Sequence, residues 1–548
     1  MADGGRRRAL QTIANLNDND MKQSVTSLLF AMMLVPCHAQ VHPAWGDRGD
    51  GTYANPILNA DYSDPDVIRV GDKYYMVASD FHYIGIQVLE SADMVNWKIV
   101  SQVYDRFDMP GWDANNHYGG GSWAPSIRWH DGRFWVFFCT PDDGLFMSTA
   151  TDARGPWSPL HCVEKVERWE DPCPLWDDDG QAYLGHSVLG AGPIIVHRMA
   201  PDGSRLLDKG RTVYTGPVAE GTKWLKKDGY YYLIIPEGGV ESGWQTVLRS
   251  RNIYGPYERK VVLEQGPTPV NGPHQGALVD TPSGEWWFFH FQSVNPTGRI
   301  VHLQPAGWRG GWPEIGTDTD GNGIGEPVDS HGKPTTTAAA KPCLPQASDW
   351  FDGNELYWRG QHSSRLMPQW QWCHNPDNSK WSLDERPGWL TLHADRADSL
   401  RPCRNMLTQK AMGYGGTATT KVELTDSTGS TFAGLLCNGK QFRAVGLCPE
   451  GVFTECDGQR TIVAKGRFKG VCLRVVTDLE ANSHRFFYSL DGASFSPAGE
   501  PFAMSSGYWK GMRLGLFCYS TADNGGHADF DCFVYDISGW PATGKGWR

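Results

Sequence analysis

The chain has 548 residues, 40% apolar and 20% charged, with a formal net charge of −12. That length calls for two or three domains with sizeable cores. The acidic balance excludes a nucleic-acid binder, whose phosphates need a basic surface, and suits a neutral partner such as an oligosaccharide or hemicellulose.

Residues 1–20 read as an upstream extension with no part in the fold. Residues 21–39 read as a secretory signal peptide: Lys22, the apolar VTSLLFAMMLV, then Cys37-His38-Ala39 before Gln40. The apolar run is too short for a bilayer and no other stretch is apolar enough, so no membrane span is expected. A cleaved leader places the mature chain in a secreted or periplasmic location.

From residue 50 to 330 short β runs are bounded by Gly, Pro, Asn and Asp, with no long helical periodicity. Five glycine turns lead into aromatic strands: GDKYYMV at Gly71, DGRFWVFF at Gly132, DGQAYLG at Gly180, DGYYYLI at Gly229 and SGEWWFF at Gly284, spaced 61, 48, 49 and 55 residues apart. A period near fifty with this signature predicts an all-β, five-bladed β-propeller. Upstream of these turns stand Asp64, Trp123, Asp171, Glu220 and His274. If the repeats are equivalent, these side chains converge on one axial cavity. The Asp64-Pro65 and Asp171-Pro172 pairs fit extended strand entries, since proline restrains the residue before it.

Near the end of the repeats, Asp318-Thr319-Asp320-Gly321-Asn322-Gly323 reproduces the start of an EF-hand loop. Asp318, Asp320 and Asn322 are therefore candidate calcium ligands, with a plain polar turn as the alternative. Residues 331–348 are rich in Thr, Ala and Pro and read as a linker. From 349 to 548, alternating runs such as Asp529-Phe530-Asp531-Cys532-Phe533 predict a two-sheet β-sandwich. None of the thirteen cysteines forms a CxxC pair; several lie in apolar runs and read as buried thiols.

Glycoside hydrolysis needs a proton donor for the leaving oxygen and a base or nucleophile on the opposite face of the sugar. A third acid nearby raises the donor's pKa, because like charges resist ionising together. Asp64, Asp171 and Glu220 supply such a set, although any one of them alone could be a surface acid in a turn.

The segments NPILNADYSDPDVIRVGDKYYMVAS, WEDPCPLWDDDGQAYL, AEGTKWLKKDGYYYLIIPEGG and NGPHQGALVDTPSGEWWFFHFQ resemble, in order, the blade motifs of glycoside hydrolase family 43. QWQWCHNPDNSKWSLDERPGWLTL resembles the concanavalin-like sandwich of its β-xylosidase-like members. The resemblance implies an inverting enzyme with Asp64 as general base, Glu220 as general acid and Asp171 tuning the acid. It also implies that Arg299 contacts the terminal sugar, that Trp123 walls the pocket with Phe81 and His82 beside it, and that His274 helps to hold a central calcium ion. Without it, Arg299 could equally form a surface ion pair, and Trp123 and His274 could be structural. The activity to expect is release of terminal β-D-xylose or α-L-arabinofuranose from xylo-oligosaccharides or arabinoxylan. The rival readings are an endo-arabinanase and a non-catalytic carbohydrate-binding propeller.

Overall fold

The computed structural model describes residues 45–114, 117–337, 340–523 and 525–537. The extension and the predicted leader lie outside the described residues. Within them the chain is a five-bladed propeller followed by a concanavalin-like sandwich, with 3-10 turns but no α-helix.

Each blade is a four-stranded antiparallel sheet of consecutive strands. The innermost strands are Asp66–Val70, Trp123–His130, Trp169–Trp176, Lys223–Lys227 and His274–Asp280. The predicted turns connect the first and second strands of each blade. Gly71, Gly132, Gly180, Gly229 and Gly284 all have positive φ, where glycine alone pays no Cβ penalty. That local requirement makes the repeat visible in the sequence. Among the described residues no blade borrows a strand to close the ring. Instead the segment before blade one runs along blade five: Leu58 and Val301 exchange backbone hydrogen bonds, Tyr62 N donates to Arg299 O, and Thr52–Ala54 pairs with Ser330–Gly332. Arg69 and Asp280 join the inner strands of blades one and five at 2.8 Å.

The expected equivalence of five residues is off by one. In blades two, three and five a bulge interrupts the pairing just after Trp123, Glu170 and His274. Positive φ falls on Asp64 (55°), Ala124 (36°), Asp171 (56°), Gly221 (65°) and Gln275 (31°). Trp123, Glu220 and His274 therefore directly precede the positive-φ residue, a place that in blade three belongs to Glu170. Asp64 and Asp171 are themselves the positive-φ residue, Asp171 within the blade-three bulge. Their left-handed backbone also overturns the extended conformation expected of a residue before proline. Asp is among the few non-glycine residues that tolerate this region, and in blade three the bulge re-aims the Asp171 side chain.

The sandwich packs two sheets face to face. One runs in the order 371–372, 406–410, 513–520, 431–438, 442–448, 451–456, 459–465, with 395–396 beside 513–520. The other runs 381–382, 390–393, 527–536, 415–425, 470–478, 483–489, 496–497. A hairpin of Tyr357–Arg359 and His362–Ser364 leaves the sandwich to extend blade one, with Arg359 opposite Gln102. In the segment read as a linker, Lys333 Nζ reaches Asp47 (2.8 Å) and Asp93 (2.6 Å), and Gln346 donates to the Tyr62 hydroxyl. The described cysteines are all free thiols.

The seam between propeller and sandwich is charged yet buried. Asp61 and Asp80 from the propeller meet Lys410, Lys510 and Arg513 from the sandwich, all at most 1% exposed. Lys510 lies 2.9 Å from Asp61, and Lys410 3.1 Å from Asp80.

Candidate active site

The acids converge where the inner strands begin. Asp64 Oδ1 accepts from Arg299 at 2.9 Å, and its Oδ2 from the Ser79 hydroxyl at 2.5 Å. Asp171 Oδ2 accepts from Gly221 N (2.6 Å) and Ser187 Oγ (3.0 Å), and its Oδ1 from Gln275 (3.3 Å). Glu220 Oε1 lies 3.1 Å from His274 Nε2. Carboxylate oxygens of Glu170, Asp171 and Glu220 come within 4.8 Å of one another.

Burial, then the charges of Glu220 and Asp64, push the Asp171 carboxyl up to about 6. Burial also opposes ionisation of Glu220, but the His274 hydrogen bond and charge, with Arg299, outweigh it and hold that carboxyl low. Glu170 moves furthest. Burial, then the charges of Asp171 and Glu220, push it up to about 9. Sequence reading did not single out Glu170, although it stands beside Asp171 in WEDP.

Arg299 lies over Phe291 (4.9 Å) and Phe81 (6.0 Å). Phe81 meets the partly exposed Trp123 edge to face at 5.6 Å. His82 packs instead into the seam, against Tyr83, Tyr118, His374 and Tyr508. Its imidazole is neutral, because burial and then the nearby cationic groups depress it.

The sandwich contributes a wall that no motif announced. The turn Gly507-Tyr508-Trp509-Lys510 is closed by backbone hydrogen bonds in both directions between Gly507 and Lys510. It places two aromatics at positive φ, where such turns favour Asn and Gly. Trp509 is 55% exposed, with its ring 5.7 Å from that of Trp123. Lys510 secures the turn. It pairs with Asp61, which accepts from Arg299 N, and donates to the carbonyl of Ser79, whose hydroxyl holds Asp64. The sandwich thus buttresses both Arg299 and Asp64.

Three carboxyls with an arginine clamp and aromatic walls, opening at the face of a five-bladed propeller, suit the splitting of a sugar acetal. The sequence profile for glycosyl hydrolases family 43 matches residues 53–313, and that for the beta xylosidase C-terminal concanavalin A-like domain matches residues 362–536. A Xylanibacter ruminicola protein, named provisionally as a beta-xylosidase, is 60% identical over 87% of this chain and 88% of its own length. The chain belongs to glycoside hydrolase family 43. It is a glycoside hydrolase, which sets aside the non-catalytic propeller. A Formosa agariphila beta-xylosidase is 36% identical over 92% of this chain and 93% of its own. A Bacteroides ovatus non-reducing end alpha-L-arabinofuranosidase is 28% identical over 76% and 79%. The crystal structure of the GH43 BlXynB protein from Bacillus licheniformis superimposes with a TM-score of 0.76 at 27% identity, covering 88% of this chain and 99% of that one.

The metal expectations divide. His274 Nε2 is committed to Glu220, and its buried Nδ1 has no partner. Calcium takes oxygen ligands, and the ion-holding clusters among the described residues do not include His274. In the structure the His274 side chain faces Glu220. In the polar loop, Asp318 and Asp320 gather with Glu326. Asn322 is engaged elsewhere: its amide donates to Glu264 and its carbonyl accepts from Ile324 N.

Proposed function

We propose that the protein is an inverting, exo-acting hydrolase that releases terminal β-D-xylose, α-L-arabinofuranose or both from xylo-oligosaccharides or arabinoxylan. In this reading Asp64 removes a proton from the attacking water. Glu220 protonates the leaving oxygen, and Asp171 orients Glu220 and opposes its ionisation. Arg299 offers a planar fork to two hydroxyls of the terminal sugar. A sugar that takes up the Arg299 fork would weaken the lesser of the influences that hold Glu220 low, while the larger one, His274, stays in place.

The observation that carries the exo reading is the Trp509 turn beside Trp123. An endo-arabinanase needs a groove open across the propeller face, and an indole from a second domain at the rim favours a chain end instead. The names of the relatives support both terminal sugars. The test is hydrolysis of 4-nitrophenyl β-D-xyloside, 4-nitrophenyl α-L-arabinofuranoside and xylo-oligosaccharides, with NMR of the first-formed anomer. Release of single α-xylose units from xylo-oligosaccharides supports the proposal. First-formed β-xylose from a β-xyloside, or first-formed α-arabinofuranose from the α-arabinofuranoside, would refute inversion, and early mid-chain cleavage would refute the exo mode. Export by the leader belongs to the same proposal. A mature N-terminus at Gln40 on protein recovered outside the cytoplasm would support it.

We further infer a calcium ion bound by Asp318, Asp320 and Glu326. Glu326 is 1% exposed and its Oε1 has no hydrogen-bond partner. Its other oxygen accepts from Thr319 N and Oγ1. Three carboxylates this close repel one another, and calcium with water ligands would complete their oxygen sphere. Calcium should raise the melting temperature of chelated wild-type protein and leave Glu326→Gln unchanged. An equal response in both proteins would place the ion elsewhere.

A further inference from the structure

Of the four carboxyls in the pocket, only Glu170 has no assigned task. Its position is nonetheless built into the fold. It is the blade-three counterpart of Glu220, since each directly precedes the positive-φ residue of its blade, Asp171 and Gly221, so adjacent blades aim two glutamates at one place. Its partners are few. Ala191 N donates to Oε1 at 3.2 Å, and Ser187 Oγ, held more closely by Asp171, lies at 3.5 Å. Its neighbours are better supplied: Asp171 accepts three hydrogen bonds, Glu220 faces His274, and Asp64 faces Arg299. Among the described residues no cation lies within ion-pair distance of Glu170, and the residue is 4% exposed.

We propose that Glu170 is a fourth carboxyl of the acid site, which holds a proton beside Asp171 and Glu220 and supplies it to Glu220. This rests on the reading of Glu220 as the general acid. The charged groups facing Glu170 all press the same way. Asp171, Glu220 and Asp64 repel its anion, whereas Lys223 acts on Asp171, His274 on Glu220, and Arg299 on Glu220 and Asp64. A buried carboxyl surrounded by like charges and without a cation keeps its proton. Carboxyl oxygens within 4.8 Å of one another are close enough for a proton to pass directly or through a single water molecule.

The proton inventory closes. The Glu170 O–H bond breaks as a Glu220 O–H bond forms, an uphill transfer drawn forward as Glu220 passes the proton on. Glu220 then gives that proton to the glycosidic oxygen as its bond to the anomeric carbon breaks. The water oxygen bonds to that carbon while Asp64 takes the water's proton. That proton returns through solvent to Glu170, so one glycoside and one water have become two hydroxyl compounds. Glu170 touches no substrate atom in this scheme. It is a positioning residue that acts through Glu220.

The test compares wild type, Glu170→Gln, Glu170→Asp and Glu220→Gln on two aryl xylosides. 2,4-Dinitrophenolate leaves without protonation, whereas phenolate needs an acid. Glu170→Gln should lose about tenfold or more in kcat on the phenyl substrate and much less on the dinitrophenyl one. Its alkaline limb should move down by about one pH unit, since the proton is then shared by fewer acids. Glu170→Asp should restore part of both effects. Equal losses on the two substrates, or a pH profile that overlays the wild type, would overturn the proposal while Glu220→Gln still showed the leaving-group dependence. Absence of that dependence in Glu220→Gln would remove the acid reading of Glu220 as well. If chelation of the wild type reproduced the Glu170→Gln profile, a cation rather than a proton would hold the cluster together.

Discussion

Two groups of buried acids lie close together in this protein, and their surroundings send them in opposite directions. In the seam, Asp61 and Asp80 are at most 1% exposed, yet Lys510, Lys410 and Arg513 overcome the cost of burial. The Asp61 carboxyl is held down at about 2. In the pocket, Glu170 and Asp171 are each 4% exposed, their nearest charged neighbours are other acids, and both carboxyls rise. Burial alone therefore does not mark a functional acid here; the sign of the neighbouring charge separates a structural carboxylate from one equipped to exchange a proton. Asp64 links the groups, with Arg299 on one oxygen and Ser79, anchored by Lys510, on the other.

The largest effect is expected at that link. Asp64→Asn keeps the shape of the side chain but cannot take a proton. It should cost about 10³-fold or more in kcat on xylo-oligosaccharides and on activated aryl glycosides alike. Glu220→Gln should be comparably slow only where the leaving group needs protonation. Steady-state kinetics on the two substrate classes make the comparison, and near-wild-type turnover by Asp64→Asn would remove its role.

On the seam side, Lys510→Met leaves Asp61 buried without its nearest cation. Breaking a buried pair in this way costs about 3–5 kcal/mol, measurable by denaturant unfolding at pH 7. The same variant should lower kcat/KM, because Lys510 supports Arg299 through Asp61 and Asp64 through Ser79. Lost stability with unchanged kcat/KM would separate the seam from the pocket.

The pH dependence of stability should differ in sign between the groups. Asp61 is depressed, so its stabilising effect is present above the ordinary carboxylate range near 4 and is lost as pH falls towards about 2. Glu170 is raised. The folded state then binds more protons than the unfolded chain between about 4.5 and about 9, and stability falls as pH rises through that window. The slope for one such group is at most about 1.4 kcal/mol per pH unit. Glu170→Gln removes this cost, so it should melt above wild type at pH 8 and close to it at pH 4. Equal differences at the two pH values would refute the linkage.

What the sequence disclosed follows the same division between local and distant causes. The blades were legible because Gly71, Gly132, Gly180, Gly229 and Gly284 answer a local need for positive φ, and the sandwich because alternation marks a half-buried strand. Counting back from the turns brought Asp64, Asp171 and Glu220 to one pocket but hid the one-residue offset between them, since the left-handed step at Asp64, Asp171 and Gly221 falls on different residue types and leaves no composition signal. Glu170 was visible as a second acid in WEDP, yet only the register showed it to be the counterpart of Glu220. Proline after Asp64 and Asp171 suggested extended backbone; both residues take the left-handed region instead. The pairing of Asp61 with Lys510 joins residues about 450 positions apart, and nothing local to either announces the other.

Trp509 gives the smallest and most selective test. It reaches the pocket rim from the sandwich, whereas Trp123 belongs to the propeller, so the two indoles divide the rim between the domains. If Trp509 receives the sugar beyond the terminal one, Trp509→Ala should raise KM for xylotriose severalfold, about 1 kcal/mol of lost ring contact. KM for a simple alkyl xyloside, which has no second sugar, should barely move. Equal changes for both substrates would mean that the indole supports the pocket wall through Trp123 rather than meeting the chain, and the sandwich would then act on catalysis through the Lys510 anchor alone.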